Sequence, residues 1–282
     1  MEAEGAGEVV LIAGCGYVGS ALARILVKQE REVWGLRRRA ELLPDGVRAV
    51  HGDVLEADDL APFPDSVSQV VYAISPDTRD VEAYRRAYVQ GLERLLERLE
   101  RDGSPLARVV LVTSTAVYGE RSGEWVDEET PAEPRDFRGR ILLESEEVLR
   151  QAQVPGVILR LGGIYGPGRT RTVDRVRNSE AQCGPGPAYT NRIHRDDAAG
   201  ALAHLLFHSE PRDLYVGVDE APEDRCVVYR WLADALGVPP PDRGGEGGPG
   251  GATGKRCSSR RLQRSGYRFV YPTFREGYAA LL

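Results

Sequence analysis

The chain has 282 residues, of which 41% are hydrophobic and 28% charged, and a formal net charge of −6. That length can bury a full core, as one large α/β unit or two modest lobes. The acidic balance excludes a general nucleic-acid binder, which needs a basic face. No apolar run reaches the roughly 18 residues of a membrane span, and the opening residues MEAEGAGE are acidic where a secretory leader would be basic. The expectation is a cytoplasmic protein that engages neither nucleic acid nor membrane.

Val9 to Ala13 is an unbroken apolar run, as in a strand buried on both faces of a parallel sheet. It stops at Gly14, Gly16 and Gly19, spaced G-x-G-x-x-G, and Ala21, Leu22, Ile25 and Leu26 then recur at helical spacing. A strand turning tightly into a helix aims free N–H groups and the positive helix end at one spot, which suits a pyrophosphate. Gly14 would form the turn, Gly16 admit close approach of the backbone, and Gly19 pack helix on strand.

Glu32 to Leu36 reads as a second strand ending in Arg37, Arg38 and Arg39. In such units a carboxylate about 20 residues past the glycines binds a ribose 2′-hydroxyl, whereas arginine suits a 2′-phosphate. Arg37 at that position favours NADP over NAD, the plainer alternative being a solvated basic turn. Val47 to Val50 is a third strand with a polar end, where Asp53 either accepts from an adenine amino group or caps a helix over Glu56 to Leu60.

Gln69 to Ser75 is a fourth strand, and a long helix follows from about Arg79 to Arg101 with Leu92, Leu95, Leu96 and Leu99 in one stripe. Ala107 to Val112 is a fifth strand running into hydroxyl-bearing residues, Thr113, Ser114 and Thr115, at the end of a parallel strand where open α/β sheets bind ligands. Gly123 to Pro134 reads as a loop, Phe137 to Gln151 as a helix and Val157 to Leu161 as a sixth strand. Six strands with crossovers predict a doubly wound α/β sheet.

Thr170 to Ala188 is polar and Gly/Pro-rich, which suggests a mobile lid or loop. Ala198 to His208 reads as a helix, Leu214 to Val218 as a short strand and Val227 to Leu236 as a helix. Asp242 to Gly254 has too little apolar surface to pack and is expected to be flexible. The aromatic tail, Lys255 to Leu282, is expected to dock on a second lobe. The predicted organisation is a Rossmann-like domain over residues 1–168 and a smaller C-terminal substrate lobe over 169–282, with part of 189–218 returning to the first.

Cys15, Cys183, Cys226 and Cys257 lie far apart without a CxxC, so neither a zinc site nor a disulfide framework is expected. His204 and His208 share a helical face, but lack the glutamate of a zincin between them, which favours an ordinary surface pair over a metal site. Lys28 and Lys255 are the only lysines.

In the glycine turn, Gly52 to Val54, the segment from Ser114 to the VYG of Val117, Tyr118 and Gly119, LRLGGIYGPG (Leu159 to Gly168) and NRIHRDDAA (Asn191 to Ala199), the chain resembles the extended short-chain dehydrogenase/reductases of the epimerase/dehydratase-like branch. The likeness spans nearly the whole chain, with Ala13 where a glycine is often found. It implies an NAD(P) cofactor, a small-molecule substrate and a homodimer formed through the long helices. The implied cofactor residues are Gly14, Gly16, Tyr17, Val18, Gly19, Arg37, Arg38, Asp53, Val54, Ala73, Ile74, Ser75 and Arg140; no metal is implied.

In that family the residue matching Ser114 hydrogen-bonds the substrate carbonyl, and a Tyr-x-x-x-Lys pair on the next helix exchanges the proton. Here Phe137 leads to Ile141 and Arg138 to Leu142, so the pair is missing and the chain resembles atypical members that keep Gly139, Arg140 and Leu142. Positioned acid–base catalysis is worth about 10²- to 10⁴-fold, or roughly 3–5 kcal/mol. Alcohol oxidation suffers most, because an unassisted tyrosine of pKa about 10 is a poor base.

Substitutes for the pair are Tyr118, whose alternative is packing, and His194, whose alternative is a structural hydrogen bond beside Asp196 and Asp197. Tyr165 reads chiefly as a turn former. Arg140 could steady a ribose or an anionic group, or simply pair with Glu144. Expected function is NADP-dependent carbonyl reduction. The rivals are redox-neutral epimerase or dehydratase chemistry and an NADP(H) sensor or scaffold without turnover.

Overall fold

The computed structural model describes residues 8–55, 62–64, 66–242 and 251–282. Val9–Ala13 forms β1 with all five side chains buried. The chain turns through Gly14–Gly16 into α1 (Tyr17–Lys28), which buries Ala21, Leu22 and Leu26, and continues through β2 (Glu32–Leu36), β3 (Arg48–Val50) and β4 (Val67–Tyr72). The fourth strand ends at Tyr72, so Ala73, Ile74 and Ser75 leave it as a loop. The helix suggested over Glu56 to Leu60 lies outside the described residues.

The single helix expected from Arg79 to Arg101 is broken in register. α2 (Val81–Arg85), begun by Asp80 accepting from the Ala83 N–H, passes through a π turn over Arg86–Gln90 into α3 (Gly91–Arg101). The leucine stripe of α3 is buried, each side chain contributing about 1.5–3 kcal/mol. It packs on Val9, Leu11 and Ala13, so alternate residues of β1 face α3 and the others face the opposite side of the sheet.

β5 (Arg108–Ser114) leads to β6 (Ser122–Val126), inside the segment expected to be a loop. α4 (Phe137–Gln151), capped by Asp136 accepting from the Gly139 N–H, precedes β7 (Gly156–Leu161) and β8 (Gly163–Tyr165). α5 (Arg171–Arg177), β9 (Tyr189–Thr190), β10 (Arg192–His194), α6 (Arg195–Phe207) and β11 (Leu214–Gly217) come next. β12 (Glu223–Asp224), α7 (Arg225–Leu236), β13 (Gly254–Cys257), α8 (Arg260–Arg264) and α9 (Phe274–Ala279) complete the chain.

The central sheet has seven strands rather than six, in the order β11-β7-β5-β4-β1-β2-β3. The paired edges β3/β2/β1 and β1/β4/β5 are all parallel. Strand order reverses between β1 and β4, and a doubly wound sheet opens its ligand crevice at such a point. Beneath β5 the Glu146 carboxylate is fully buried. It accepts from Arg160 at 2.9 and 2.7 Å and from the Thr113 hydroxyl at 3.0 Å, which anchors α4 to β5 and β7.

The chain divides into two compact units: Met1–Val117 with Glu133–Arg160 and Ala199–Tyr215, and Tyr118–Ala132 with Leu161–Ala198 and Val216–Leu282. The second unit contains the parallel pairs β8/β10 and β6/β13 and the antiparallel pair β9/β12. Its core gathers Tyr165, Val173, Val176, Tyr229, Leu232 and Phe274.

Three expectations are corrected in that unit. Within Thr170 to Ala188, Arg171–Arg177 forms α5, whose Val173 and Val176 are buried one helical turn apart, so that part is a packed helix while residues 178–188 are irregular chain. Cys183 and Cys226 are joined as a disulfide despite the 43 residues separating them; spacing in sequence carried no sign of their closeness in space. The stretch expected to be flexible ends in hydrogen-bonded chain. Thr253 donates to Pro187, Tyr189 donates to Thr253, and Gly254 opens β13 at φ +76°, where a Cβ would lie 2.3 Å from the Tyr189 oxygen. Its residues 243–250 lie outside the described residues.

Candidate functional site

The turn after β1 is held by backbone bonds. The N–H groups of Gly14 and Cys15 donate to the Leu36 carbonyl at 3.2 and 3.3 Å, and that of Gly16 to Gly14 at 2.7 Å. Gly14 sits at φ +90°, and a Cβ there would lie 2.6 Å from the Ala73 backbone, so the loops after β1 and β4 touch only because residue 14 is glycine. A Cβ at Gly19 would meet the Gly14 oxygen at 2.5 Å. Gly16 differs: a Cβ would find only the Gly14 oxygen, 3.9 Å away. Nothing among the described residues demands glycine there, which fits a backbone kept bare for a ligand.

α1 starts from Gly16 with no side-chain cap and no acid in its first turn, so neither feature of the helix itself offsets its positive end. Over it lies a cleft of about 550 Å³, within the usual range for small-molecule sites. Gly14, Gly16, Arg37, Arg38, Asp53, Val54, Ala73, Ile74 and Ser75 all line this cleft. Tyr17 opens α1, Val18 and Gly19 are buried on it, and Arg140 is exposed on α4; none of these four is in the cleft wall.

The arginines after β2 do different things. Arg37 donates to the carbonyls of Cys15 at 3.2 Å and Leu42 at 3.0 Å, bracing the turn. Arg38 forms a two-pronged ion pair with Asp77 at 2.7 and 2.6 Å. Asp53 accepts from the Leu55 N–H at 3.0 Å in a tight local turn. Asp77, Thr78, Ala83, Arg86 and Ala87 also line the cleft and were not singled out from sequence. They lie on the loop after β4 and on the helix whose π turn no local pattern announces.

Ser114 ends β5, half-buried, and its oxygen accepts from the Ala116 N–H at 3.2 Å. An oxygen used as an acceptor leaves its own proton free for another group. The start of α4 is drawn onto this segment: a Cβ on Gly139 would lie 2.7 Å from the Ala116 oxygen. α4 carries neither tyrosine nor lysine, and Phe137 stacks edge-on against Tyr84 at 5.5 Å. Glu144 pairs with Arg85 at 2.5 Å, so the Arg140–Glu144 pairing considered from sequence is not the one formed.

Tyr118 is buried, with its hydroxyl donating to the Asp127 carbonyl at 2.7 Å and Lys255 donating to its own carbonyl. His194 is buried and its Nδ1 accepts from the Asp196 N–H at 3.2 Å, so in the neutral ring Nε2 carries the proton. Burial holds its imidazole below the ordinary histidine range. Around it the second unit collects Tyr165 and Tyr271, with ring centroids 5.4 and 4.0 Å from that of His194. Four buried atoms there have no hydrogen-bond partner: Tyr165 Oη, Arg192 Nη1, His194 Nε2 and Asp219 Oδ2. Burial pushes the Asp219 carboxyl up to about 7.

Among the described residues no three His, Cys, Asp or Glu side chains gather as a metal site, and no helix is long and apolar enough to cross a membrane. His204 and His208 lie edge to face at 5.1 Å.

A profile of the NAD dependent epimerase/dehydratase family matches residues 10–217. A solved structure from Methylobacillus flagellatus, assigned as an NAD-dependent epimerase/dehydratase, is similar at 38% identity and a TM-score of 0.82, covering 98% of each chain. Protein YeeZ of Escherichia coli K12 is 29% identical over 249 residues, covering 82% of this chain and 85% of its own. The 2′-dehydrokanamycin reductase of Streptomyces kanamyceticus is 29% identical over 250 residues, covering 82% and 67%.

Proposed function

The chain belongs to the NAD dependent epimerase/dehydratase family, and on that premise we propose that it is an NADP(H)-dependent oxidoreductase reducing a carbonyl on a small-molecule substrate. The observation that carries the cofactor reading is the bare, uncapped helix start at Gly16 beside a cleft walled by Arg37, Arg38 and Arg39. Glycine at 16 would admit a pyrophosphate to the helix amides, and Arg37, Arg38 and Arg39 stand after β2, where an NAD site would place a carboxylate for the adenosine ribose. When bound, the cofactor supplies the hydride.

The chain's own residues bind and orient. Gly14 and Gly19 hold the turn against the loop after β4 and against α1. Arg37 keeps that turn rigid, and Ser114 directs its free hydroxyl proton at the substrate oxygen. Residues 169–282 supply most of the substrate lobe. The direction follows from α4: with no lysine to depress a tyrosine pKa, abstracting an alcohol proton is the harder task and protonating a reduced oxygen the easier. A relative named for reduction, the 2′-dehydrokanamycin reductase above, supports that direction.

The test is NADPH consumption across a panel of aldehydes and ketones, with Ser114→Ala alongside. We expect Ser114→Ala to lower turnover by about 10²-fold or more with NADPH affinity unchanged. Substrate conversion with cofactor neither consumed nor released would instead support redox-neutral chemistry, and binding without turnover on any carbonyl would support a sensor.

A further inference from the structure

We propose that Asp77 is a resident competitor for the 2′-phosphate of NADP(H), occupying Arg38 in the free protein, and that it thereby sets the preference between the two dinucleotides. This rests on the NADP reading above and deepens it. Arg38 and Asp77 come from different loops, after β2 and after β4, and both line the cleft. Their contact is a fork on a fork: Nη1 to Oδ2 at 2.7 Å and Nη2 to Oδ1 at 2.6 Å. Those are the guanidinium N–H groups that a phosphate would take in the same two-pronged way.

Arg37 does not relieve the competition. The Arg37 guanidinium donates to the carbonyls of Cys15 and Leu42, so drawing it toward a phosphate would loosen the turn that holds the pyrophosphate. Of the two, Arg38 is therefore the cation whose release costs the fold less, since its partner is a side chain rather than backbone. The pair is solvated, with 60% and 67% of the two side chains exposed. Exposed pairs contribute at most about 1 kcal/mol, so a phosphate can displace the carboxylate, at a measurable loss of affinity.

Two effects act in one direction. A 2′-phosphate must break the ion pair, and the freed carboxylate then stands as a negative charge near the phosphate, within the Debye length of about 8 Å. NAD(H) suffers neither effect. Its ribose hydroxyl can instead donate to a carboxylate, the role an acidic residue plays in NAD sites. The ion pair also holds the Asp77 carboxyl below the usual range, so the competitor is charged at neutral pH.

The experiment is equilibrium titration of NADPH and NADH into wild type, Asp77→Asn, Asp77→Ser, Arg38→Gln and the Arg38→Gln/Asp77→Asn double variant, at low and high salt. We expect either Asp77 variant to tighten NADPH about three- to tenfold while NADH stays within about twofold or weakens. Arg38→Gln should weaken NADPH, and Asp77→Asn should then have a smaller effect than in wild type, because the ion pair is already gone and only the charge repulsion is left to relieve. Equal changes for both dinucleotides, no change for either, or an Asp77 effect undiminished without Arg38 would overturn the proposal. If Arg38→Gln weakens NADPH while the Asp77 variants are flat, the competitor fails and the NADP reading stands. If wild type holds NADPH no better than NADH and Arg38→Gln changes neither, both fail.

Discussion

The hydroxyl of Tyr72 donates to the carbonyl oxygen of Ala87, in the space that glycine at position 91 leaves open. In an unbroken α-helix that carbonyl would receive the N–H of residue 91. A Cβ on Gly91 would stand 2.4 Å from the Tyr72 hydroxyl, so the absent side chain is what admits the phenol. The ladder steps aside into the π turn over Arg86–Gln90, the expected response to an inserted polar group. Arg86 and Ala87, at that turn, form part of the cleft wall. The last residue of β4 thus shapes the site from beneath.

Tyr72→Phe is expected to destabilise by about 1 kcal/mol through the lost buried hydrogen bond, and Gly91→Ala by about 1–3 kcal/mol through overpacking against the hydroxyl. Because the two act on one contact, the double variant should lose less than the sum. Urea denaturation of all three measures this, and strictly additive losses would show that the residues do not meet.

The glycines of the turn should separate binding from folding. Gly16→Ala is expected to melt within a few degrees of wild type, since its Cβ meets nothing closer than 3.9 Å, yet to lose dinucleotide affinity by tenfold or more, the added methyl standing where the pyrophosphate approaches, about 1.4 kcal/mol or more. Gly14→Ala and Gly19→Ala, whose Cβ atoms would lie 2.6 and 2.5 Å from backbone, should lower the melting temperature as well. Calorimetry paired with NADPH titration reads both. Undiminished affinity in a folded Gly16→Ala protein would remove the pyrophosphate from this turn.

Asp219 should make stability depend on pH in a defined direction. Burial raises its carboxyl from the ordinary 3.8 to about 7 in the folded protein, so between those values the folded state holds the extra proton. Its contribution is complete below about pH 4 and is lost as pH rises through about 7. His194 acts oppositely: its pKa is lowered from 6.5, so stability is lost as pH falls below that value. Asp219→Asn removes the first effect alone. The melting temperature of the variant relative to wild type should therefore climb from pH 4 to 7 and level off above, and a difference independent of pH would refute the assignment.

The Cys183–Cys226 bond closes a loop with a sequence separation of 43 residues, for which chain entropy predicts about 4 kcal/mol of stabilisation. Thiol titration of the unreduced, denatured protein should count two free cysteines, Cys15 and Cys257. Dithiothreitol or Cys183→Ser should lower the denaturation midpoint, and the reductant should leave Cys183→Ser unmoved. Four titratable thiols without reduction would mean that the bond does not form in the isolated protein.

What the sequence determined alone is the part written in local pattern. An apolar run ending in spaced glycines specifies β1, the turn and α1, because a doubly buried strand excludes polar side chains and only glycine fits the positive φ of Gly14. The leucines of α3 and the strand leading to Ser114 were legible for the same reason, since periodicity is a property of neighbouring residues, although β5 runs on to Ser114 where the pattern placed its end at Val112. Among the residues that line the cleft, Gly14, Gly16, Arg37 and Asp53 were marked by that order of elements, whereas Asp77 and Thr78 were not.

Tertiary structure decided everything that needs a partner far along the chain. The π turn depends on a tyrosine from another element. The role of Arg38 depends on Asp77, 39 positions away, and β6 becomes a strand only because β13 lies beside it. Cys183 finds Cys226 only once α5 and α7 have packed. Composition records none of these, since a contact energy belongs to the pair and the fold alone determines which pairs exist.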